Sequence, residues 1–330
     1  MTEKSTSNDA IRFRRFGIVT IAAIYILIAV GGIVRATGSG MGCPDFPTCF
    51  GQWIPPTDIS QLPADYKTQF AVQGKEIADF NAVHTWTEYV NRLVGILIGM
   101  LIFVTFLLSA KFWNCDRRIT FLSVAAFILV AVQGALGAIV VKTNLQPVII
   151  TFHAALALVI VMLIVIAVIR SYKFEWKSAD AVALPVQVGL PMIVSLTLLF
   201  LQIVLGSQVR QAVDEIHKLL AGQSRETWLE SIGILFYVHR SFSLVVLGVH
   251  LWMLYRLRQF AFQHPALRSF LFRWGGIMVG CISIEIISGA VMGYFAIPPA
   301  MQPIHLFLGS VMFGVDFLLY MRVRTFANHT

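Results

Sequence analysis

Charged residues are scarce in this chain of 330 residues: they make up 13%, against 57% hydrophobic residues. A mean hydropathy of +0.77 is too high for soluble domains, so the composition indicates a membrane protein. Acidic residues number only 17 against 25 Lys and Arg, and the basic surplus lies near the ends of apolar runs. That placement excludes nucleic acid as the reason for the net charge of +8 and points to membrane topology.

Cysteine is scarce too, and we expect no removable leader. Four cysteines are too few for a disulfide scaffold, so each is interpreted by its position. The first apolar run has no small-residue cleavage site, which excludes a signal peptide, and the acids Glu3 and Asp9 do not fit a mitochondrial transit peptide. We therefore expect the first run to remain as a membrane span.

Long apolar runs are abundant. A bilayer core about 30 Å thick needs roughly 20 apolar residues per helix, and eight runs approach or exceed that length. The sequence predicts an all-α polytopic membrane protein with eight transmembrane helices. They are expected near residues 17–35, 90–110, 119–141, 148–169, 184–206, 233–255, 270–296 and 304–322.

Basic residues occupy the termini and the connections that follow even-numbered spans, which all lie on one side of an eight-span chain. They are Arg12, Arg14 and Arg15, then Lys111, Arg117 and Arg118, then Arg170, Lys173 and Lys177, then Arg256, Arg258, Arg268 and Arg273, and finally Arg322 and Arg324. The positive-inside rule therefore predicts that both termini are cytoplasmic. The membrane we expect is the bacterial cytoplasmic (inner) membrane.

The chain contains an internal repeat. Gly134-Ala135-Leu136-Gly137 returns about 155 positions later as Gly289-Ala290-Val291-Met292-Gly293. In this repeat Asn91-Arg92 corresponds to His239-Arg240, and His153 corresponds to His305. Each half has an even number of spans, so we predict a parallel repeat of two four-helix bundles.

This repeat predicts the domain organisation. The two halves are expected at 17–170 and 184–322, joined by a cytoplasmic linker at 171–183. The first half includes an outer loop at 36–87, and cytoplasmic tails are expected at 1–16 and 323–330.

Three histidines near the beginnings of even-numbered spans are candidate metal ligands: His153, His239 and His305. Two imidazoles on neighbouring helices at one depth can bind haem iron from opposite faces. The alternative is that each histidine hydrogen-bonds at the membrane interface. A metal cluster without haem fits less well, because no closely spaced set of ligands is present.

Three motifs resemble the haem A synthase family over the whole chain. They are Gly38-Ser39-Gly40-Met41-Gly42-Cys43-Pro44-Asp45-Phe46-Pro47-Thr48-Cys49, Glu88-Tyr89-Val90-Asn91-Arg92 and His239-Arg240. The resemblance implies oxidation of a ring methyl group of haem O to a formyl group, giving haem A for haem-copper terminal oxidases. It implies a haem b cofactor in the C-terminal half and the substrate haem O in the N-terminal half. Expected partners are a haem O synthase and a terminal oxidase assembly pathway; a homo-oligomer is left open.

The sequence departs from the family at Asn91, where the pattern Glu-x-x-His-Arg has histidine. An amide is a poor iron ligand, so the N-terminal site lacks its expected histidine pair. His84, seven residues earlier, is a candidate replacement, and the alternative is an interfacial histidine bonded to Glu88. If His153 binds alone, the opposite iron face stays open for oxygen chemistry.

Further candidate site residues lie close to the ligand positions. Glu88 is the candidate catalytic residue, and the alternative is an exposed acid in the first helical turn. Four arginines at helix ends are candidate partners of the haem propionates, although such arginines also extend to the interface without a ligand. They are Arg35, Arg92, Arg210 and Arg240.

Cys43 and Cys49 lie in the predicted outer loop, where a disulfide persists. A structural disulfide and a redox role remain equal alternatives. Cys115 and Cys281 are expected to be unpaired.

In the second half, His250 follows His239 by eleven residues and Asp316 follows His305 by eleven. Eleven residues return a helix to nearly the same face, so His250 and Asp316 are expected to meet as a pair on a proton path. Glu285 is a further candidate for proton movement.

Two rival functions are a di-haem electron carrier, which needs two complete ligand pairs, and a thiol oxidoreductase using the cysteines of the outer loop.

Overall fold

The computed structural model describes residues 3–172, 184–219 and 231–327. Within these ranges the regular structure is helical, apart from two isolated bridges, which confirms the all-α prediction. The long helices are α1 (Glu3–Ala36), α2 (Ala82–Ser109), α3 (Arg117–Lys142), α4 (Pro147–Ser171), α5 (Val186–Leu219), α6 (Ile234–Gln263), α7 (Pro265–Tyr294) and α8 (Met301–Ala327). Short helical segments lie at Ser39–Met41, Ile59–Gln61, Tyr66–Gln69 and Ala110–Phe112.

Eight helices of the described chain are long and apolar enough to cross a membrane, with window hydropathies from 1.5 to 3.0. In hydrocarbon a backbone must satisfy its own hydrogen bonds, and an α-helix does so within one segment. The prediction of eight spans is therefore confirmed. The parallel repeat and the cytoplasmic termini stay predictions.

Helix α1 begins earlier than predicted. It starts at Glu3, so most of the expected tail at 1–16 is helical. Arg14 is only 5% exposed and donates to the backbone carbonyl of Ser171 at 3.1 Å. The last carbonyls of a helix have no intrahelical donor, so the buried guanidinium of Arg14 satisfies one carbonyl at the end of α4.

Helix α2 also begins earlier, at Ala82 instead of residue 90. Asn81 caps it, because its side-chain oxygen accepts hydrogen bonds from the backbone N–H groups of Val83 and His84 at 2.9 and 3.2 Å. Helix α5 continues to Leu219, beyond the predicted end at residue 206. Most of the predicted linker, with Lys173 and Lys177, and the end of the C-terminal tail lie outside the described residues.

The first compact unit comprises Met1–Ser171. Its helices pack in a ring: α1 and α3 each contact both α2 and α4. Every buried residue of α4 lies between Leu158 and Ser171, where Ile164 is fully buried. The turns of α4 around His153 are therefore packed less tightly than the rest of the helix.

The second compact unit comprises Tyr172–Thr330, and its helices pack in the same order: α5 and α7 each contact both α6 and α8. Met192, Met253 and Met278 are at most 1% exposed. In α8 the buried residues begin at Gly309, so the turns around His305 are again the looser end of the helix.

Candidate functional site

Each of the three predicted iron ligands faces a glycine on a neighbouring helix. The pairs, with the distance from an ideal Cβ at the glycine to the imidazole Cε1, are Gly137 and His153 at 3.7 Å, Gly206 and His239 at 3.0 Å, and Gly289 and His305 at 3.5 Å. Glycine has no side chain, so the backbone of one helix leaves space beside the imidazole of the next. The sequence marked Gly137 and Gly289 as parts of a repeat but did not pair them with the histidines.

Two glutamines hold the backbone of the candidate ligands. Gln133 donates from Nε2 to the backbone carbonyl of His153 at 2.9 Å, and Gln202 donates to that of His239 at 3.1 Å. Each glutamine precedes the facing glycine by four residues, one helical turn. Sequence reasoning missed both glutamines, although the spacing Gln-x-x-x-Gly was visible.

The third position has a different residue. Glu285 precedes Gly289 by four residues, and its carboxylate contacts the ring nitrogen Nδ1 of His305 instead of a backbone carbonyl. The hydroxyl of Ser288 lies 2.9 Å from the same nitrogen. The structure therefore brings Glu285 directly to a candidate ligand.

His239 and His305 lie close enough to share one metal ion. Their ring centroids are 6.4 Å apart. Two imidazole nitrogens bound at about 2 Å on opposite faces of one metal lie about 4 Å apart, and the ring centres lie farther apart than the nitrogens. The distance between these rings therefore fits axial coordination of haem iron.

Two imidazole nitrogens are buried without a hydrogen-bond partner. They are Nδ1 of His153 and Nδ1 of His239, as far as the described residues show. A buried polar atom without a partner is costly, and a ligand bound at Nδ1 would remove that cost. No group of three or more His, Cys, Asp and Glu side chains among the described residues could hold a metal ion. Haem iron needs only one or two protein ligands and fits the residues present.

The fourth position, where the family has histidine, differs from the other three. Asn91 has a buried Oδ1 that finds no partner in the described part of the chain. In the repeat, Gly31-Gly32-Ile33-Val34-Arg35 of α1 corresponds to Gly206-Ser207-Gln208-Val209-Arg210 of α5. A Cβ at Gly31 would meet nothing within 4 Å. His84 lies in the first turn of α2, next to the cap of that helix. Position 91 therefore has no close imidazole and glycine pair of the kind found at the other three positions.

Glu88 and Arg92 tie helix α2 to the segment at 37–81, which we name the Cys loop. Glu88 is 4% exposed, and its carboxylate accepts from the backbone N–H of Cys43 at 2.9 Å and from Arg92 at 2.5 Å. Arg92 also donates to the carbonyls of Asp45, Thr48 and Cys43 at 2.7 to 3.0 Å. Glu88 is thus not the exposed acid considered as an alternative.

The Cys loop is closed by a disulfide between Cys43 and Cys49, both fully buried. The ring of Phe50 packs edge-on against Tyr66, Phe70 and Phe80. A buried disulfide beside an aromatic core is shielded from soluble thiols, which favours the structural interpretation over the redox one.

Farther along the Cys loop, on its exposed surface, Lys67 donates to Asp79 at 2.6 Å. This hydrogen bond lowers the pKa of the Asp79 carboxyl group.

Gly42 fixes the approach of the Cys loop to α2. A Cβ at this position would lie 2.4 Å from the backbone carbonyl oxygen of His84. We expect Gly42→Ala to displace the loop and to lower the free energy of unfolding by about 1–3 kcal/mol, measured by thermal unfolding in detergent. Gly95 lies on α2, and a Cβ there would meet nothing within 4 Å. Gly95→Ala is therefore the control and should not lower the stability. Equal stability of the two variants would contradict the close approach.

The other candidate arginines have different surroundings. Arg210 pairs with a carboxylate one turn later at 2.8 Å, and Arg35 lies in the last turn of α1. The guanidinium of Arg240 lies 5.9 and 5.2 Å from the ring centroids of Phe236 and Tyr237. Within the described ranges Arg240 forms no ion pair, so its donors are the most available to an anionic ligand.

The predicted pair of His250 and Asp316 forms. The distance from Nε2 to Oδ2 is 3.1 Å, and both side chains are fully buried. The Nδ1 of His250 lies 2.7 Å from the backbone carbonyl of Val246, which fixes the ring. In the first unit the corresponding residues, Ile102 and Ile164, are buried and apolar. The contact is confirmed, whereas its role as a proton path stays a prediction.

The chain is similar in sequence to known proteins over most of its length. Residues 14–316 match the model of a family described as cytochrome oxidase assembly protein, COX15-CtaA. Relatives named heme A synthase include one from Shewanella oneidensis, 24% identical over 66% of this chain and 62% of its own length. Another, from Bradyrhizobium diazoefficiens, is 25% identical over 71% of this chain and 65% of its own. A third, from Methylobacterium sp. (strain 4-46), is 29% identical over 44% and 42%. The chain thus covers less than two thirds of each of these relatives.

Proposed function

The chain belongs to the COX15-CtaA family of cytochrome oxidase assembly proteins, and we propose that it oxidises haem O to haem A. The relatives named heme A synthase support this function. The observation that carries the proposal is the set of three histidines, each held beside a glycine at the loosely packed end of its helix. In this reaction a ring methyl group becomes a formyl group, which takes one oxygen atom from outside the chain and releases four electrons to an external oxidant.

The second unit is the proposed cofactor site, with His239 and His305 as the two ligands of haem b. The separation of their rings supports this assignment, as does the buried, unpartnered Nδ1 of His239. Haem b, when bound there, supplies one-electron transfer. Gln202 holds the backbone of His239 and thereby sets the direction of its ring.

The first unit is the proposed site of the substrate haem O, with His153 as its ligand. Asn91 occupies the position of the missing imidazole and leaves one face of the substrate iron open to oxygen chemistry. Glu88 lies one turn before Asn91, and we propose that its carboxylate accepts a proton or stabilises positive charge developing at the methyl carbon. Arg92 and the N–H of Cys43 hold that carboxylate in place.

The propionates of the two haems are proposed to bind the arginines at the helix ends. Arg240 is best placed for this, because no carboxylate occupies its guanidinium in the described chain. Arg35 and Arg210 are the further candidates. Of the five N–H donors of Arg92, four are engaged by Glu88 and the Cys loop, which leaves Nε–H for a propionate.

The buried pair of His250 and Asp316 is the proposed proton connection between the cofactor site and the cytoplasm. It lies on the two helices that carry the haem b ligands, eleven residues after each. Glu285 is a further candidate, although its contact with His305 gives it a second role, described below.

We propose that the protein lies in the bacterial inner membrane with both termini cytoplasmic, because the larger share of its basic residues lies in the termini and in the connections that follow even-numbered spans. A haem O synthase supplies the substrate in this proposal, and a haem-copper oxidase receives the product.

Pigment analysis of membranes tests the proposal directly. Membranes that contain this protein and a haem O synthase should yield haem A, whereas membranes with the haem O synthase alone should yield haem O. A di-haem electron carrier or a thiol oxidoreductase would leave haem O unchanged. Haem O as the sole product would therefore overturn the proposed activity.

Three variants test the assignment of the substrate ligand. We expect His153→Ala to lose substrate haem and activity together, and Asn91→Ala to keep substantial activity, because an amide is a poor iron ligand. Loss of activity in His84→Ala, with a substrate spectrum shifted from low to high spin, would identify His84 as the second ligand. Retained activity would leave His153 as the sole protein ligand. If Asn91→Ala is as damaging as His153→Ala while His84→Ala is silent, both versions of this site are wrong.

A further inference from the structure

The imidazole ring of His305 contacts a carboxylate. Glu285 contacts Nδ1 of this ring, and the side chain of Glu285 is only 16% exposed. Ser288, one turn later on α7, places its hydroxyl 2.9 Å from the same nitrogen. Two oxygens therefore surround Nδ1.

These contacts fix which ring nitrogen carries the proton. The hydroxyl of Ser288 has its own acceptors on Glu285, namely the backbone carbonyl at 3.0 Å and the carboxylate at 3.3 Å. A carboxylate accepts and does not donate, so Nδ1 of His305 must be the donor to it. The lone pair of the neutral imidazole then lies on Nε2, the nitrogen left for iron.

The main chain of α8 leaves room for this carboxylate. A Cβ at Gly309, one turn after His305, would lie 3.0 Å from Oε1 of Glu285. A side chain at position 309 would therefore crowd the oxygen that does not contact the ring. Gly309 therefore leaves room for the carboxylate beside α8.

The first unit lacks each of these features. The motif repeat near 155 positions pairs Gly134 with Gly289, but the glycines that face the ligand rings are Gly137 and Gly289, so that register is corrected to 152 positions. The same shift takes His153 to His305 and relates each residue of the carboxylate contact to a residue of the first unit. The matched residues of the first unit are Gln133 for Glu285, Leu136 for Ser288 and Ala157 for Gly309.

This substitution of residues changes the contact made by the ligand ring. Gln133 binds the backbone carbonyl of His153, and Nδ1 of His153 has no partner among the residues described. Of His153 and His305, only His305 therefore has a carboxylate in contact with its Nδ1.

We infer that Glu285 is a positioning residue that acts through His305 to lower the reduction potential of the haem b iron. The inference rests on the proposed function, because it takes His305 as a ligand of that haem. It assigns to Glu285 a role beyond proton movement, and Gln133 does not have this role in the first unit.

The physical reason is electrostatic. A carboxylate that accepts a hydrogen bond from Nδ1–H makes Nε2 of the imidazole a stronger electron-pair donor to the iron and fixes the orientation of the ring. Additional electron density and a nearby negative charge stabilise the oxidised iron more than the reduced iron. The reduction potential therefore falls, and the cofactor becomes a stronger reductant. Because the carboxylate is mostly removed from water, its charge is poorly screened.

Redox titration of the purified protein, with the haem b spectrum as the signal, tests this inference. Glu285→Gln keeps an oxygen acceptor of similar shape but removes the charge, so we expect a more positive potential and an unchanged bis-histidine spectrum. Gly309→Ala should shift the potential in the same direction by crowding the carboxylate. Ser288→Ala, the matched neutral control on the same nitrogen, should give a smaller shift.

Wild-type protein that retains no haem b would overturn the proposed cofactor site itself. If haem b is retained, a wild-type potential in Glu285→Gln would overturn the role of Glu285. A shift in Ser288→Ala as large as that in Glu285→Gln would also overturn it, because the effect would then not depend on charge. If Glu285→Gln does not retain haem, Gly309→Ala decides: a wild-type potential there overturns the inference.

Discussion

Replacement of His239 or His305 with Met should abolish the low-spin bis-histidine spectrum of haem b in the purified protein. Each ring supplies one axial ligand in the proposed site, and one imidazole cannot fill both axial positions. Methionine can bind iron, so the variant spectrum should either change to a histidine and methionine type or disappear with the haem. Optical and magnetic spectra of oxidised and reduced protein measure this change.

The control for this experiment is His264→Gln. His264 lies between α6 and α7, and its ring stacks on Phe260 with the centroids 4.0 Å apart. This variant removes an imidazole from the same unit without removing a proposed ligand, so its spectrum should match the wild type. An unchanged spectrum in both His239→Met and His305→Met would remove the assignment of the cofactor site.

Loss of haem A production in Glu88→Ala, with haem b retained in the second unit, is the second large effect we expect. A group that moves a proton or stabilises charge in the transition state commonly contributes about 100-fold or more to the rate. Production should therefore fall by at least that factor or stop at an alcohol intermediate. Extraction of haems from membranes, with separation of haem O, the alcohol and haem A, measures the outcome.

The structure requires a second variant at this position, because Glu88 also holds the Cys loop. Its carboxylate accepts from the backbone N–H of Cys43 and from Arg92. Glu88→Gln retains an acceptor for Cys43 but loses the charge, so it should be as inactive as Glu88→Ala if the carboxylate acts on the substrate. Near-normal haem A from Glu88→Gln would make Glu88 an anchor of the loop, and near-normal output from Glu88→Ala would exclude both roles.

The proposed roles of the two units differ at the residues that surround the candidate ligands. The second unit has two imidazoles in ring contact and a carboxylate behind one of them. In the first unit the residue matched to His305 is His153, and the residue matched to His239 is the amide Asn91. A cofactor needs a complete ligand set, whereas a substrate must leave its site and benefits from an open iron face. Asn91 in place of a second histidine therefore fits a substrate site in the first unit and a cofactor site in the second.

Several properties of this protein were determined by the sequence alone. The eight spans were predicted correctly, because about 20 consecutive apolar residues are a local property that the bilayer selects directly. The contact between His250 and Asp316 was also predicted, since eleven residues return a helix to nearly the same face. The family followed from motifs that lie within short stretches of chain.

Helix ends were predicted less well. Helix α2 begins at Ala82 because Asn81 caps it and because the Cys loop satisfies the polar residues of its first turns. Hydropathy places the start at the first continuous apolar stretch and does not register polar groups that are satisfied by a folded loop.

Only the tertiary structure decided how polar side chains are used. Cys43 and Cys49 are bonded, Arg92 holds three backbone carbonyls, and Glu285 contacts the ring of His305. Each of these contacts depends on the rotation and depth of one segment relative to another, which spacing along a single helix does not specify. The sequence could therefore name the candidate groups, but their partners were set by packing between helices and between the Cys loop and α2.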